Sequence, residues 1–173
     1  MKAILALYLK AFLLFSIPFF VLTYLFDLLA GEPSVGSPLL KSGFYGLFMA
    51  IIFISGHIFS IREKKLGPIN AETIKVFQKK SIKSNLSQSS LIEKLLEDPA
   101  CNKLDIRTSE NEILIRTRTT FWSWGEKIKI LIHHASDGMN QFMVTSHPEV
   151  RFTMVDYGKN IQNVQRIEKL ITS

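Results

Sequence analysis

One cysteine, Cys101, is all the chain holds, so an intrachain disulfide is excluded and a reducing compartment fits. Charge is missing from the N-terminal third. Residues 1–60 carry five charged side chains, Lys2, Lys10, Asp27, Glu32 and Lys41, and residues 42–61 carry none. Metal-binding spacings such as C-x-x-C and H-E-x-x-H are absent, and His133 and His134 are adjacent in an expected strand, where they point to opposite faces. There is no multi-glycine phosphate loop, no internal repeat and no low-complexity tract. No cofactor, metal or catalytic residue is therefore assigned.

What the first third does contain is apolar length. Residues 42–61, "SGFYGLFMAIIFISGHIFSI", make about 30 Å of helix, enough to span a hydrocarbon core. An earlier apolar stretch covers residues 4–30, with Lys10 able to snorkel and Pro18 a point for a kink. The connection "GEPSVGSPLLK" is short and rich in Gly, Pro and Ser, which predicts an antiparallel transmembrane hairpin over residues 1–61. A cleaved signal peptide ending near Ala30 fits less well, because the apolar region is too long and "DLLAG" is a poor cleavage site. Lys2 and Lys10 precede the first span, Arg62, Lys64 and Lys65 follow the second, and the connection offers only Lys41 against Glu32. The positive-inside rule then puts both termini in the cytoplasm, in a bacterial inner membrane.

The rest is built for water. Of 21 basic and 15 acidic residues, 18 and 13 lie beyond residue 61, a net of +5 (18 − 13). Residues 62–69 read as a basic linker closed by Gly67-Pro68, and residues 70–173 as one small domain. Within it "TIKVFQKKSIKS" alternates as a strand, and "SQSSLIEKLLEDPA" has a helix signature with Ser90 and Glu93 as a capping-box pair and Pro99 as its stop. "KLDIRTS" and "EILIRTRTTF" read as one pair of strands. "EKIKILIHH" and "QFMVTS" form a second pair around the Asp137-Gly138 turn. A further short strand is expected in "VRFTMV", and a last helix, capped by Asn160, carries Ile161, Val164, Ile167, Leu170 and Ile171 at three- and four-residue steps. The class is α+β: an antiparallel sheet of about five strands with two helices on one face.

Local candidates for function are few. The corner "VDYGKNIQNV" has one glycine and no hydroxyl after its lysine, so it reads mainly as a strand-to-helix turn. In that turn Gly158 takes a positive φ, Asp156 accepts a backbone N–H, and Lys159 stands ready for an anion at the helix start. Ser146 and His147 are sequence neighbours in "SHP", read as a turn and a poor nucleophile–base pair. Trp122 and Trp124 share a face if extended; that face either packs on the core or forms an exposed aromatic corner. Lys75, Lys79, Lys80 and Lys83 follow the second span closely enough to feel an anionic leaflet. In the spans, Gly46 with Ala50 is a small-xxx-small step for close helix approach, and His57 reads as an interfacial residue.

The expectation is a non-enzymatic accessory or scaffold protein of the membrane whose cytoplasmic domain binds a partner protein. Lys75, Lys79, Lys80, Lys83, Trp122, Trp124 and Lys159 are its candidate contacts, and the lipid bilayer its first partner. The alternative is a lipid- or ligand-sensing domain for anionic lipid, and less favoured still is an enzyme on a membrane-bound substrate. Nucleic acid is discounted, since nothing resembles a helix-turn-helix or a stacking motif.

Overall fold

The computed structural model describes residues 2–32, 34–120, 123–134, 138–150 and 152–173, with the side chain of residue 134 left aside. Trp122 and Asp137 therefore lie outside the described residues. The chain divides into two compact units, Met1–Ile74 and Lys75–Ser173.

The first unit is two 28-residue helices, α1 (Lys2–Leu29, with Pro18 inside it) and α2 (Gly36–Glu63). Both are long and apolar enough to cross a membrane, and their most apolar windows are only 11% and 28% buried, so most of that apolar surface is uncovered. They pack antiparallel. Tyr8 Oη meets Ser55 Oγ at 2.8 Å, and Phe19 stacks on Tyr45 with ring centroids 4.3 Å apart. The buried stripe of α2 begins Pro38, Ser42, Gly46, Ala50, Ile54, a four-residue step along one face. A Cβ on Gly46 would lie 1.8 Å from Ser16 Oγ and 2.9 Å from the Phe12 carbonyl oxygen, so only glycine permits this approach. His57, near the end of α2, is fully buried, with Nε2 3.2 Å from the Ile74 carbonyl oxygen.

The second unit has the order β1 (Gln78–Ser84), α3 (Gln88–Glu97), β2 (Asp105–Ser109), β3 (Glu112–Arg116), β4 (Glu126–His134), β5 (Asn140–Pro148) and α4 (Lys159–Thr172). Its sheet runs β1-β5-β4-β3-β2, and every pairing is antiparallel. Because side chains alternate along a strand, Ile82, Ile113, Ile115, Ile128, Ile130, Ile132, Phe142 and Val144 all fall on one face. Leu91 and Leu95 of α3 and Val164, Ile167 and Ile171 of α4 cover that face. The α+β class with two helices on one face of a five-stranded sheet is thus the observed fold. Removing one of these side chains, for instance Ile130→Ala, costs about 2–5 kcal/mol.

Four local expectations need correcting. Strand β1 starts at Gln78, not at residue 73. The Asn70 side chain takes the amides of Glu72 and Thr73 into a turn, and the partner strand ends at Pro148, which has no N–H with which to extend the ladder. The described residues of "VRFTMV", 150 and 152–155, form no strand: the amide and hydroxyl of Thr153 both turn back to the Val150 carbonyl oxygen. Ser146-His147-Pro148 is the end of β5 and not a turn. Helix α3 is capped by Ser87, whose Oγ accepts from the Ser90 amide at 3.1 Å, so the capping box at Ser90 and Glu93 is not used. In a run of serines the one with extended backbone takes the cap, and Ser87 alone has it here (φ −80°, ψ 162°).

Candidate functional site: a cationic cleft beside the first turns of α4

Two polar clusters flank the start of α4, and they differ in kind. The first is the "DYGKN" corner. Gly158 takes φ 74° and Tyr157 φ 53°, which swings the chain into the helix. The Asp156 carboxylate then fills the helix N-terminus, accepting from the Gly158 amide at 3.1 Å and from the Asn160 amide at 2.8 Å. Asn160 does not cap the helix as the sequence suggested. Its Nδ2 donates to Asp156 at 2.7 Å, and its Oδ1 accepts from Ser146 Oγ at 2.7 Å, while Asn163 Nδ2 donates to Ser146 Oγ at 3.2 Å. Asp156, Asn160 and Ser146 are all buried. Partners inside the protein occupy these groups, and the chain brings its own anion to the helix end. This cluster holds β5 to α4.

The second cluster opens outward. A cleft of about 450 Å³ lies between the first turns of α4, the segment before β2 and the segment after β3. Lys103, Arg118, Lys159 and Arg166 line it, against one carboxylate, Glu126. Glu126 is 3% exposed and accepts from the Thr117 and Ser123 hydroxyls, while Thr117 Oγ1 takes the Glu126 amide at 2.7 Å. Arg166 leans on Asp98, Nη1 to Oδ1 3.7 Å. Among the described residues Lys103, Arg118 and Lys159 have no ion-pair partner, so the cleft carries uncompensated positive charge in a concave setting.

Cys101 also lines the cleft, and its thiol is pushed up from 9.0 to about 11, first by burial and then by the neighbouring Asp98 carboxylate, with Arg166 opposing. It is a protonated, slow thiol at neutral pH. Tyr157, at the corner, is raised by burial.

The anticipated contact residues scatter. Lys159 is in the cleft. Lys80 faces the helix side and pairs with Glu168 of α4 at 2.7 Å, whereas Lys79 and Lys83, two residues either side of Ser81, belong to the opposite face. Lys75 precedes β1, its carbonyl oxygen accepting from Gln78 Nε2 at 2.7 Å. The four lysines therefore do not form one patch. Trp124 is 69% exposed and does not pack on the core; Trp122 is not described. Ser146 and His147 are separated by strand alternation: Ser146 is buried toward α4, while His147 stacks on Phe77 on the other side. Lys103, Arg118 and Arg166 escaped the sequence reading, since they come from three separate segments with no shared spacing. Among the described residues no group of three or more His, Cys, Asp or Glu could hold a metal ion.

No protein-family model matches the chain, and no curated protein matches it significantly.

Proposed function

We propose that this is a membrane-anchored binding protein whose α+β unit captures an acidic group, a phosphate or a carboxylate, in the cationic cleft. One observation carries the reading: among the described residues Lys103, Arg118 and Lys159 line one concavity without ion-pair partners, while the only carboxylate among its described lining residues is already bound to two hydroxyls. Such cations are costly to hold together unless a ligand compensates them. The cleft suits holding more than transforming, because its thiol is kept protonated and its carboxylate oxygens are engaged. A partner protein offering an acidic or phosphorylated side chain is one form such a ligand takes, which keeps the accessory role open to this site.

Anchoring rests on the two long apolar helices and their uncovered surface. Their mutual packing, tight at Gly46, also speaks against α1 as a leader peptide to be discarded. The flanking lysines and arginines support the reading of a bacterial inner-membrane hairpin with both termini on the cytoplasmic side.

The test is a titration of the full chain, held in nanodiscs of zwitterionic lipid, with inorganic pyrophosphate while thermal unfolding is followed. Ligand at about a hundred times its dissociation constant adds about 2.7 kcal/mol, a shift of several degrees. Arg118→Gln with Lys159→Gln should abolish it. No shift in the unaltered protein at millimolar pyrophosphate would end this reading.

A further inference from the structure

Following the strands places the whole periphery of the cleft at one end of the sheet. The register joins Gln78 to Ser146, Glu126 to Pro148, Lys127 to Arg116 and Arg116 to Asp105, so the first residues of β1, β4 and β2 meet the last residues of β5 and β3. The segment arriving from residue 75 enters at this end. So do the loop after β3, which contributes Arg118 to the cleft, and the segment before β2, which contributes Lys103.

The apolar surface of this unit is gathered there as well. Among its described residues five large apolar side chains stand exposed, and four belong to this end: Phe77 (52%), Trp124 (69%), Val150 (39%) and Phe152 (91%). The fifth, Leu96, is in the last turn of α3. Their presentation is built, not accidental. Thr120 and Ser123 exchange backbone hydrogen bonds, and Thr119 Oγ1 holds the Trp124 carbonyl oxygen at 3.3 Å. Gly125 turns at φ 91°, where a Cβ would meet the Thr117 carbonyl oxygen at 3.0 Å, and its own carbonyl oxygen takes the Glu149 amide at 2.9 Å. One short loop therefore carries a cleft cation, Arg118, and an outward indole, Trp124, and it is bonded to the turn that carries Val150 and Phe152.

Cations with no ion-pair partner among the described residues, at the same end of the sheet as four exposed apolar side chains, match one surface chemically: an anionic bilayer. Headgroup phosphates answer the lysines and arginines, and the interfacial layer receives Trp and Phe. The geometry points to this end of the sheet as a membrane-docking tip that seats an anionic lipid headgroup in the cleft while Trp124, Phe152 and Val150 enter the interface. A soluble acidic ligand would answer the cations and leave the apolar rim without a role. This inference rests on the anion-binding reading of the cleft and adds the source of the anion.

The test uses full-length Trp122→Phe protein, leaving Trp124 as the one tryptophan. It is reconstituted in nanodiscs with brominated acyl chains, either zwitterionic or with a third of the lipid anionic. Trp124 fluorescence should be quenched in the anionic discs only, and salt should relieve the quenching. Each neutralised cation, Lys103→Gln, Arg118→Gln or Lys159→Gln, should lower the docked-to-undocked ratio about fivefold. Phe152→Ser, at a side chain with almost no contacts to lose, should weaken docking while leaving pyrophosphate binding in zwitterionic discs unchanged. Quenching absent from both discs, or equal in both, overturns the docking tip. If pyrophosphate still binds in that case, the anion-binding reading survives alone; if it does not, both fall.

Discussion

The two polar clusters beside α4 lie next to one another and do opposite things. In the corner, Asp156, Asn160 and Ser146 are buried and bonded to one another and to the backbone, and the one anion present is the protein's own. In the cleft, Lys103, Arg118 and Lys159 face a cavity with their charge unspent. Most of the polar motif that looks like a site in a sequence, "DYGKN", proves to be a joint, while its lysine turns outward into a cleft whose other cations belong to no motif. Internal saturation of hydrogen bonds and charge marks the first as structural, and the surplus marks the second as receptive.

The largest expected effect comes from breaking the joint. Asp156→Ala strips the acceptor from the Gly158 and Asn160 amides and from Asn160 Nδ2, and should cost about 3 kcal/mol in thermal or denaturant unfolding of the full chain. Gly158→Ala forces a Cβ onto a backbone at φ 74° and should cost about 1–2 kcal/mol by the same measurement. In the cleft the order reverses. Lys159→Gln or Arg118→Gln should move stability by less than about 0.5 kcal/mol yet weaken pyrophosphate binding, which the double variant removes. A variant of either lysine or arginine that unfolds the protein would make the cleft a second joint and erase the contrast.

Cys101 sharpens the comparison from a third direction. Its folded-state value of about 11 lies above the 9.0 of a free thiol, so the unfolded chain ionises first and the folded state loses stability as pH rises from about 9 toward 11. Alkylation by iodoacetamide should accordingly be slow at pH 7.5 and rise only well above pH 9. Fast labelling at neutral pH would mean that the cleft is open to the thiol and electropositive enough to make a thiolate.

Much of the framework was legible because it depends on local pattern. Twenty residues without charge, alternation in "EKIKILIHH", and the three- and four-residue steps of Ile161, Val164 and Ile167 follow directly from helix and strand periods. The left-handed Gly158 and an accepting Asp156 were legible for the same reason, since both act within a few residues. Element boundaries were less so. Whether residues 73–77 join a strand depends on where the neighbouring strand stops, and Pro148 is seventy residues away. The choice of Ser87 over Ser90 as cap turned on backbone angles that a run of serines does not reveal.

Of the cleft only Lys159 was legible. Lys103 follows a helix exit, Arg118 sits in a loop between strands, and Arg166 lies one residue before the core-facing Ile167. Each alone is an ordinary solvated cation. By itself the sequence determined the two long apolar helices, the basic flanks, the α+β class and the turn at Gly158, because hydrophobic period and backbone sterics act over short distances. Only the tertiary structure decided that Lys80 would be spent on Glu168, that Ser146 and His147 would part to opposite faces, and that Lys103, Arg118 and Lys159 would share one cavity. Charge acts through space, and strand order and helix packing set which charges are near.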